Sequence, residues 1–254
     1  MEKITSRQNS LLTHIRKLNS SRAYRWECGE YLCDGVKLLE EAVKWNAPLV
    51  AVVLTEGVEI PALPTGVRVV AVPEDVMRSV SPMSSPQGVL FTVRLPENPL
   101  PERLEGNHYL VLDGLQDPGN VGTILRTADA FDADGMFLLA GCADLYNPKT
   151  VRSTMGAVLR RPVWSCTLEQ LRALLNVSDL PLYGAALRHD TVDVRNVSLT
   201  NCAMLIGSEG RGLSEAALAA CDKTVKIPMS ERCESLNAAV AATALLWEGW
   251  RELG

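Results

Sequence analysis

Apolar residues fall into two differently patterned blocks, separated by a polar, proline-rich seam at 94–106. In the first block Leu11, Leu12, Ile15 and Leu18 recur at helical spacing and predict an amphipathic helix. A second helical run is expected at 34–45. Short β-branched segments at 49–54, 67–72 and 88–93 read as strands, with a helix over 74–80 between the last two. Such a mixture predicts a small α/β sandwich, a plausible autonomous module.

The second block alternates strand-like runs (108–112, 135–139, 182–186, 203–206, 224–227) with helical ones (121–131, 149–159, 168–175, 214–220). Continuous apolar strands interleaved with helices predict an α/β fold, a mainly parallel sheet with helices on both faces. Ligands of such sheets lie beyond the carboxyl ends of the strands. The terminal helix, opened by Glu234-Ser235-Leu236-Asn237, is apolar on two sides. Leu236, Val240, Thr243, Trp247 and Trp250 form one stripe; Ala238, Ala241, Ala242 and Leu245 form the other. A last helix with two apolar faces needs chain, or a second subunit, around it.

Composition changes this picture little. The sequence holds 47% apolar and 22% charged residues, as an ordinary soluble protein does. No apolar run approaches the roughly 20 residues that span a bilayer, and the first residues lack a signal-peptide core. The cytoplasm is the expected compartment and no membrane partner is expected. Seven scattered cysteines and three histidines show no Cys-x-x-Cys pair, which favours buried thiols over a metal site or disulfides. The net charge of −5 is unevenly spread: residues 1–26 carry six positive side chains (Lys3, Arg7, Arg16, Lys17, Arg22, Arg25) against Glu2 alone. This is either a solvated helix face or an RNA-facing basic arm.

Candidate chemistry sits in three strand-exit loops. The first, Asp113-Gly-Leu-Gln-Asp-Pro-Gly-Asn-Val-Gly-Thr-Ile-Leu-Arg126, has a Pro-Gly turn and Asn120 as a candidate helix cap. Arg126 projects away from the apolar stripe of the following helix, as many surface arginines do. The second, Ile206-Gly-Ser-Glu-Gly-Arg-Gly-Leu213, has glycines that let backbone amides approach a ligand. Its order and late position argue against a dinucleotide fingerprint. The third is Ile227-Pro-Met through Glu234-Ser-Leu-Asn237.

In order and spacing these three segments resemble the SpoU/TrmH family of S-adenosylmethionine-dependent RNA 2′-O-ribose methyltransferases, in the SPOUT superfamily. Arg152-Ser-Thr-Met-Gly-Ala157 resembles a further piece of the family pattern. The resemblance implies a knotted catalytic domain over 107–254, with a deep C-terminal trefoil knot and a homodimer. It implies a linker at 98–106 and an RNA-binding substrate-recognition domain over 1–97, ribosomal-protein-like in fold. Carried over by motif, Asn120, Arg126, Glu209, Ser235 and Asn237 are the catalytic and substrate-holding set. Ala185, Gly207, Glu209, Gly210, Ile227, Met229 and Leu236 hold S-adenosylmethionine, and no metal is required. Arg7, Arg16, Lys17, Arg22, Arg25 and Arg152 are the RNA-binding candidates. The separate front domain favours ribosomal RNA; a transfer-RNA methyltransferase and a catalytically silent RNA-binding homologue are the alternatives. An aromatic content of 5% points to recognition of RNA shape and phosphates more than base stacking.

Overall fold

The computed structural model describes residues 2–252, and the chain divides into two compact units. One runs to Glu97 and includes Asp144–Arg160; the other takes Asn98–Ala143 and the chain from Arg161 onward.

The first unit contains β1 (Glu2–Lys3), α1 (Ser10–Ser20), α2 (Arg22–Cys28), β2 (Glu30–Asp34) and α3 (Val36–Lys44). These are followed by β3 (Leu49–Thr55), β4 (Arg68–Val72), α4 (Glu74–Arg78) and β5 (Val89–Arg94). The strands form one sheet in the order β1-β4-β3-β5-β2. β1, β4 and β3 are parallel, and β5 runs antiparallel to both β3 and β2. Residues of one sheet face, such as Leu32, Val53, Val70 and Leu90, meet Leu11, Leu12, Ile15 and Leu18 of α1 in a single core. Period two on the strands and period 3.6 on the helix thus converge on one interior. The basic helix expected here is two helices. The break falls at Ser21, whose Oγ accepts from the Tyr24 amide at 3.2 Å and caps α2. β2 escapes a periodicity reading because Tyr31, Leu32 and Cys33 are all buried.

The second unit begins with β6 (His108–Leu112), α5 (Pro118–Ala130) and β7 (Gly135–Leu138). The chain then passes through α6 (Pro148–Ser153), in the first unit, and returns as β8 (Val163–Ser165), α7 (Leu168–Val177) and β9 (Leu182–Ala185). β10 (Val192–Asp193), β11 (Cys202–Ile206), α8 (Glu215–Ala220), β12 (Lys223–Lys226) and α9 (Ala238–Arg251) complete it. The sheet order is β10-β12-β9-β11-β6-β7-β8, and every ladder is parallel. The expected mainly parallel α/β sheet is therefore present. Tyr109, Val111, Leu182 and Leu205 pack with Leu171, Leu174 and Leu175 of α7. α5 and α9 pack on each other and contact β7 and β11.

The run 149–159 departs from the expected single helix. α6 stops at Ser153, Met155 (φ 49°) and Gly156 (φ 94°) turn left-handed, and a 3-10 turn follows at Ala157–Leu159. Spacing placed this segment in the second domain, yet it packs with the first. Arg25 Nη2 meets Asp144 Oδ2 at 2.7 Å, and Arg160 Nη1 meets Glu41 Oε2 at 2.7 Å. Tyr146 lies 4.9 Å from Tyr31, ring to ring. Contacts between residues more than a hundred positions apart leave no trace in local periodicity. The seven cysteines are all unpaired, and only Cys233 is exposed.

Candidate active site

Because the second sheet is parallel, the loops after β6, β11 and β12 leave from the same edge. Each contributes one polar side chain to a common cluster. α5 starts three residues earlier than an Asn120 cap would place it. Asp117 is the cap, its Oδ1 accepting from the Asn120 amide at 2.8 Å, with Pro118 in the first turn. The Asn120 side chain is thus released from capping, and its Nδ2 donates to Glu209 Oε1 at 2.6 Å. Asn237 is the cap of α9, with Oδ1 accepting from the amides of Ala239 at 3.0 Å and Val240 at 3.3 Å. Its Nδ2 donates to the same Glu209 oxygen and to Asn120 Oδ1, the latter at 3.3 Å. The Ala238 amide adds a donor to Glu209 at 3.4 Å.

The glycine loop between β11 and α8 is held from both ends. The Ser214 amide donates to Asp113 Oδ2 at 2.8 Å, tying it to the first loop. Ser208 and Gly212 exchange backbone hydrogen bonds at 3.0 and 2.8 Å. A Cβ on Gly207 would lie 2.2 Å from the Gly212 carbonyl carbon, so only glycine permits this backbone-on-backbone fold.

The residues proposed for S-adenosylmethionine fall into two groups. Ala185, Ile227, Met229 and Leu236 line one cavity of about 130 Å³, with Ser235 on its wall. Gly207, Glu209 and Gly210 belong to the adjoining glycine loop and are not among its walls. Ala186, within the 184–186 backbone that the resemblance implies for the cofactor, also lines the cavity, as do Leu187 and Lys226, which were not singled out from sequence. Leu187 lies just beyond β9, so the rule that ligands sit at strand carboxyl ends could have found it.

Arg126 is exposed on α5 and stands outside the Asn120–Glu209–Asn237 cluster. It lies six residues beyond Asn120, roughly 9 Å along the helix axis. The α5–α9 pair carries an aromatic patch: Phe131 is 5.8 Å from Trp247, which stacks at 5.7 Å on Trp250. Val240, Trp247 and Trp250 are 53%, 48% and 43% exposed, whereas Ala242 and Leu245 on the other stripe are fully buried.

The RNA-binding candidates lie in the first unit and differ sharply. Arg22 and Lys17 are exposed, with Lys17 Nζ 5.1 Å from the Tyr24 ring. Arg7 is exposed but paired with Asp75 at 2.7 Å, and Arg16 donates to the Arg7 carbonyl. Arg152 is exposed at the end of α6. Arg25 does not belong on an RNA-facing surface. It is 2% exposed and spends its guanidinium on Asp144 and the Leu18 carbonyl, as a desolvated cation must.

Residues 107–247 match the SpoU rRNA Methylase family, and residues 9–90 match the MRM3-like substrate binding domain. The chain is 32% identical over 248 residues to the 23S rRNA (guanosine(2553)-2′-O)-methyltransferase RlmP of Bacillus subtilis, covering 97% of this chain and 98% of that protein. The chain belongs to the SpoU rRNA methylase family. A second relative, the 23S rRNA (uridine(2479)-2′-O)-methyltransferase of Streptomyces viridochromogenes, is 31% identical over 98% of this chain and 92% of its own length. Among solved structures, the AdoMet-bound rRNA methyltransferase of Sinorhizobium meliloti superposes with a TM-score of 0.88 at 28% identity, covering 100% of this chain and 98% of that one. AviRb of Streptomyces viridochromogenes with AdoMet gives 0.85 at 29% identity, covering 97% and 98%.

The SpoU cofactor, S-adenosylmethionine, fits the residues present. Ile227, Met229, Leu236 and Ala185 offer apolar walls for an adenine ring. Gly207 keeps side chains out of the turn beside them. Among the described residues no helix is long and apolar enough to cross a membrane.

Proposed function

We propose that the SpoU reaction runs here at a composite site, built from the Asn120–Glu209–Asn237 cluster of one protomer and Arg126 of a second copy. The reaction is methyl transfer from S-adenosylmethionine to a ribose 2′-hydroxyl of ribosomal RNA, and the chain is an S-adenosylmethionine-dependent RNA 2′-O-methyltransferase. The observation that carries the composite reading is the convergence of three strand-exit loops on Glu209, with Arg126 displaced along α5. When bound, S-adenosylmethionine supplies an electrophilic methyl on a sulfonium. Ile227, Met229, Leu236 and Ala185 hold it, and Ser235 faces the same cavity.

The bonds among Asn120, Glu209 and Asn237 lock the loops before substrate arrives. Orientation of this kind can lower a barrier by roughly 7–11 kcal/mol in favourable cases. Arg126 presents a planar fork of N–H donors and no acceptor. Its work is to grip an RNA phosphate and stabilise the developing alkoxide.

A homodimer completes the site through the outward stripe of α9. Val240, Trp247 and Trp250 form the apolar patch expected at the centre of such an interface. The C-terminal segment is threaded as a trefoil knot in this reading; its reach back to Asn120 and Glu209 supports that path. The first unit recognises RNA, supported by its match to a substrate-binding domain; Arg7, Lys17, Arg22 and Arg152 supply its exposed charge, with the half-buried Arg16 beside Arg7. A ribosomal substrate puts the work in the cytoplasm. Mapping 2′-O-methylation in ribosomal and transfer RNA from cells with and without this gene tests the function. One ribosomal nucleotide should lose its methyl group; an unchanged ribosomal map would refute the reading.

A further inference from the structure

The first unit carries a cleft that the methyl-transfer site does not use. It has a volume of about 420 Å³ and lies between the start of α3, the 83–87 loop and the turn after α6. All of these residues belong to that one unit. The volume falls in the range of small-molecule sites, roughly 300–1,000 Å³, so it suits a single nucleotide and not a duplex.

Its walls have two characters. Leu38, Met83 and Met155 are apolar, and Met155 is 50% exposed despite being so. Met155 is held out by left-handed backbone (φ 49°), and Gly156 lets the turn lie against α3. A Cβ there would come within 3.2 Å of Glu41 Cβ. The half-buried Asp34 carboxylate also lines the cleft and accepts from Ser81 Oγ at 3.1 Å. Gln87 is brought alongside by Gly35, where a Cβ would lie 2.5 Å from Gln87 Oε1. Lys37 and Arg152 are exposed lining residues, as is Glu40, while Glu41 is paired with Arg160. At the rim, the Arg160 guanidinium lies 5.7 Å from the ring of Trp45, which is 48% exposed.

We propose that this cleft takes one unpaired guanine nucleotide of the RNA substrate, with its base against Leu38, Met83 and Met155 and its Watson–Crick edge on Asp34. Lys37 and Arg152 take the adjoining phosphate. The proposal rests on the RNA reading given above. A carboxylate only accepts hydrogen bonds, and guanine alone among the four bases presents two adjacent donors, N1–H and N2–H, to satisfy both oxygens. Adenine and cytosine set a ring acceptor beside their amino group, and uracil flanks its single N–H with carbonyls. Unstacked bases read on this edge are the usual targets of sequence-specific RNA recognition. Apolar aliphatic walls in place of aromatic ones accord with the scarcity of aromatic residues. Burial pushes the Asp34 carboxyl above its ordinary range despite the opposing Ser81 hydrogen bond and nearby Arg152, so two guanine donors would relieve a poorly solvated anion.

The test uses the full chain and four probes, GMP, AMP, CMP and UMP, titrated while amide NMR signals are recorded. GMP should shift Gly35, Gly156 and the Gln87 side-chain amide, at least tenfold more tightly than the other three. Asp34→Asn should abolish that preference, and Lys37→Glu, at an exposed position that cannot threaten the fold, should weaken all four alike. In methylation of ribosomal RNA both variants should raise KM for RNA about tenfold, with affinity for S-adenosylmethionine unchanged. If the wild-type protein methylates ribosomal RNA but GMP shifts none of these signals, or both variants keep the wild-type KM, the cleft has no such role and the methyltransferase reading stands. If GMP binds as described but no RNA is methylated, the cleft takes a free nucleotide, which overturns the RNA assignment instead.

Discussion

The two units spend their polar side chains in opposite ways. In the second unit Asn120, Glu209 and Asn237 satisfy one another at the carboxyl end of a parallel sheet, so their geometry is fixed by their own hydrogen bonds. In the first unit most cations face outward, at Arg22, Lys37 and Arg152, while one, Arg25, is taken inside with Asp144. Preorganised groups can work only at a fixed geometry; outward charges can follow a large, irregular substrate. The difference matches a division between reaction and recognition, and it makes residues of the same type respond differently to substitution.

The sharpest contrast is between arginines of the first unit. Arg25→Ala leaves Asp144 buried without its cation and should cost about 3–5 kcal/mol of stability, read as a large fall in urea midpoint. Arg22→Ala, exposed on α2, should leave the midpoint unchanged and weaken RNA binding instead. Equal midpoints for the two variants would erase the distinction between an internal and an outward charge.

In the second unit, Arg126→Lys keeps the charge and loses the planar fork. The turnover number should fall about 10²–10³-fold, with RNA affinity nearly intact. Near-normal turnover would remove Arg126 from the chemistry. A somewhat smaller effect is expected at the outward stripe of α9. Trp247→Glu should weaken self-association by at least about 2 kcal/mol, and sedimentation should show monomer with activity lost in parallel. A fully active monomer would contradict the composite site.

The smallest effect tests an ordinary surface pair. Asp222 accepts from Arg172 at 2.8 Å and from the Leu182 amide at 2.8 Å, and the Arg172 hydrogen bond, more than the others, lowers its pKa below 3.8. A lowered carboxyl contributes stability above its unfolded pKa and loses it as pH falls through the folded one. Asp222→Asn should therefore cost under about 1 kcal/mol at neutral pH and flatten the decline of stability below pH 4. An unaltered acid limb would show that the pair contributes nothing.

Much of this arrangement could be read from the chain. The strand-exit motifs were legible because parallel sheets put function at the strand carboxyl ends, and their resemblance to the SpoU/TrmH pattern named Asn120, Glu209 and Asn237 together. Which side chain bonds which was not legible, since Asp117 takes over the cap and leaves Asn120 for Glu209. Nor could periodicity choose between the two stripes of α9: both are apolar, and only tertiary packing buries Ala242 while exposing Trp247. Arg25 counted as one more surface charge because composition carries no information about depth. That 144–160 packs on the first unit was not legible for a related reason, its partners Arg25, Tyr31 and Glu41 being remote in sequence.

The composite site is tested most directly by mixing two dead protomers. Arg126→Ala and Glu209→Gln chains, each inactive alone, are co-expressed with different tags and the heterodimer is isolated. In a two-fold dimer that shares its sites, one site collects both substitutions and the other is wholly wild type. Methyl transfer to ribosomal RNA should then return in the heterodimer, from one intact site per pair. If the heterodimer is as inactive as either parent, Arg126 and Glu209 act within one chain and the shared site is refuted.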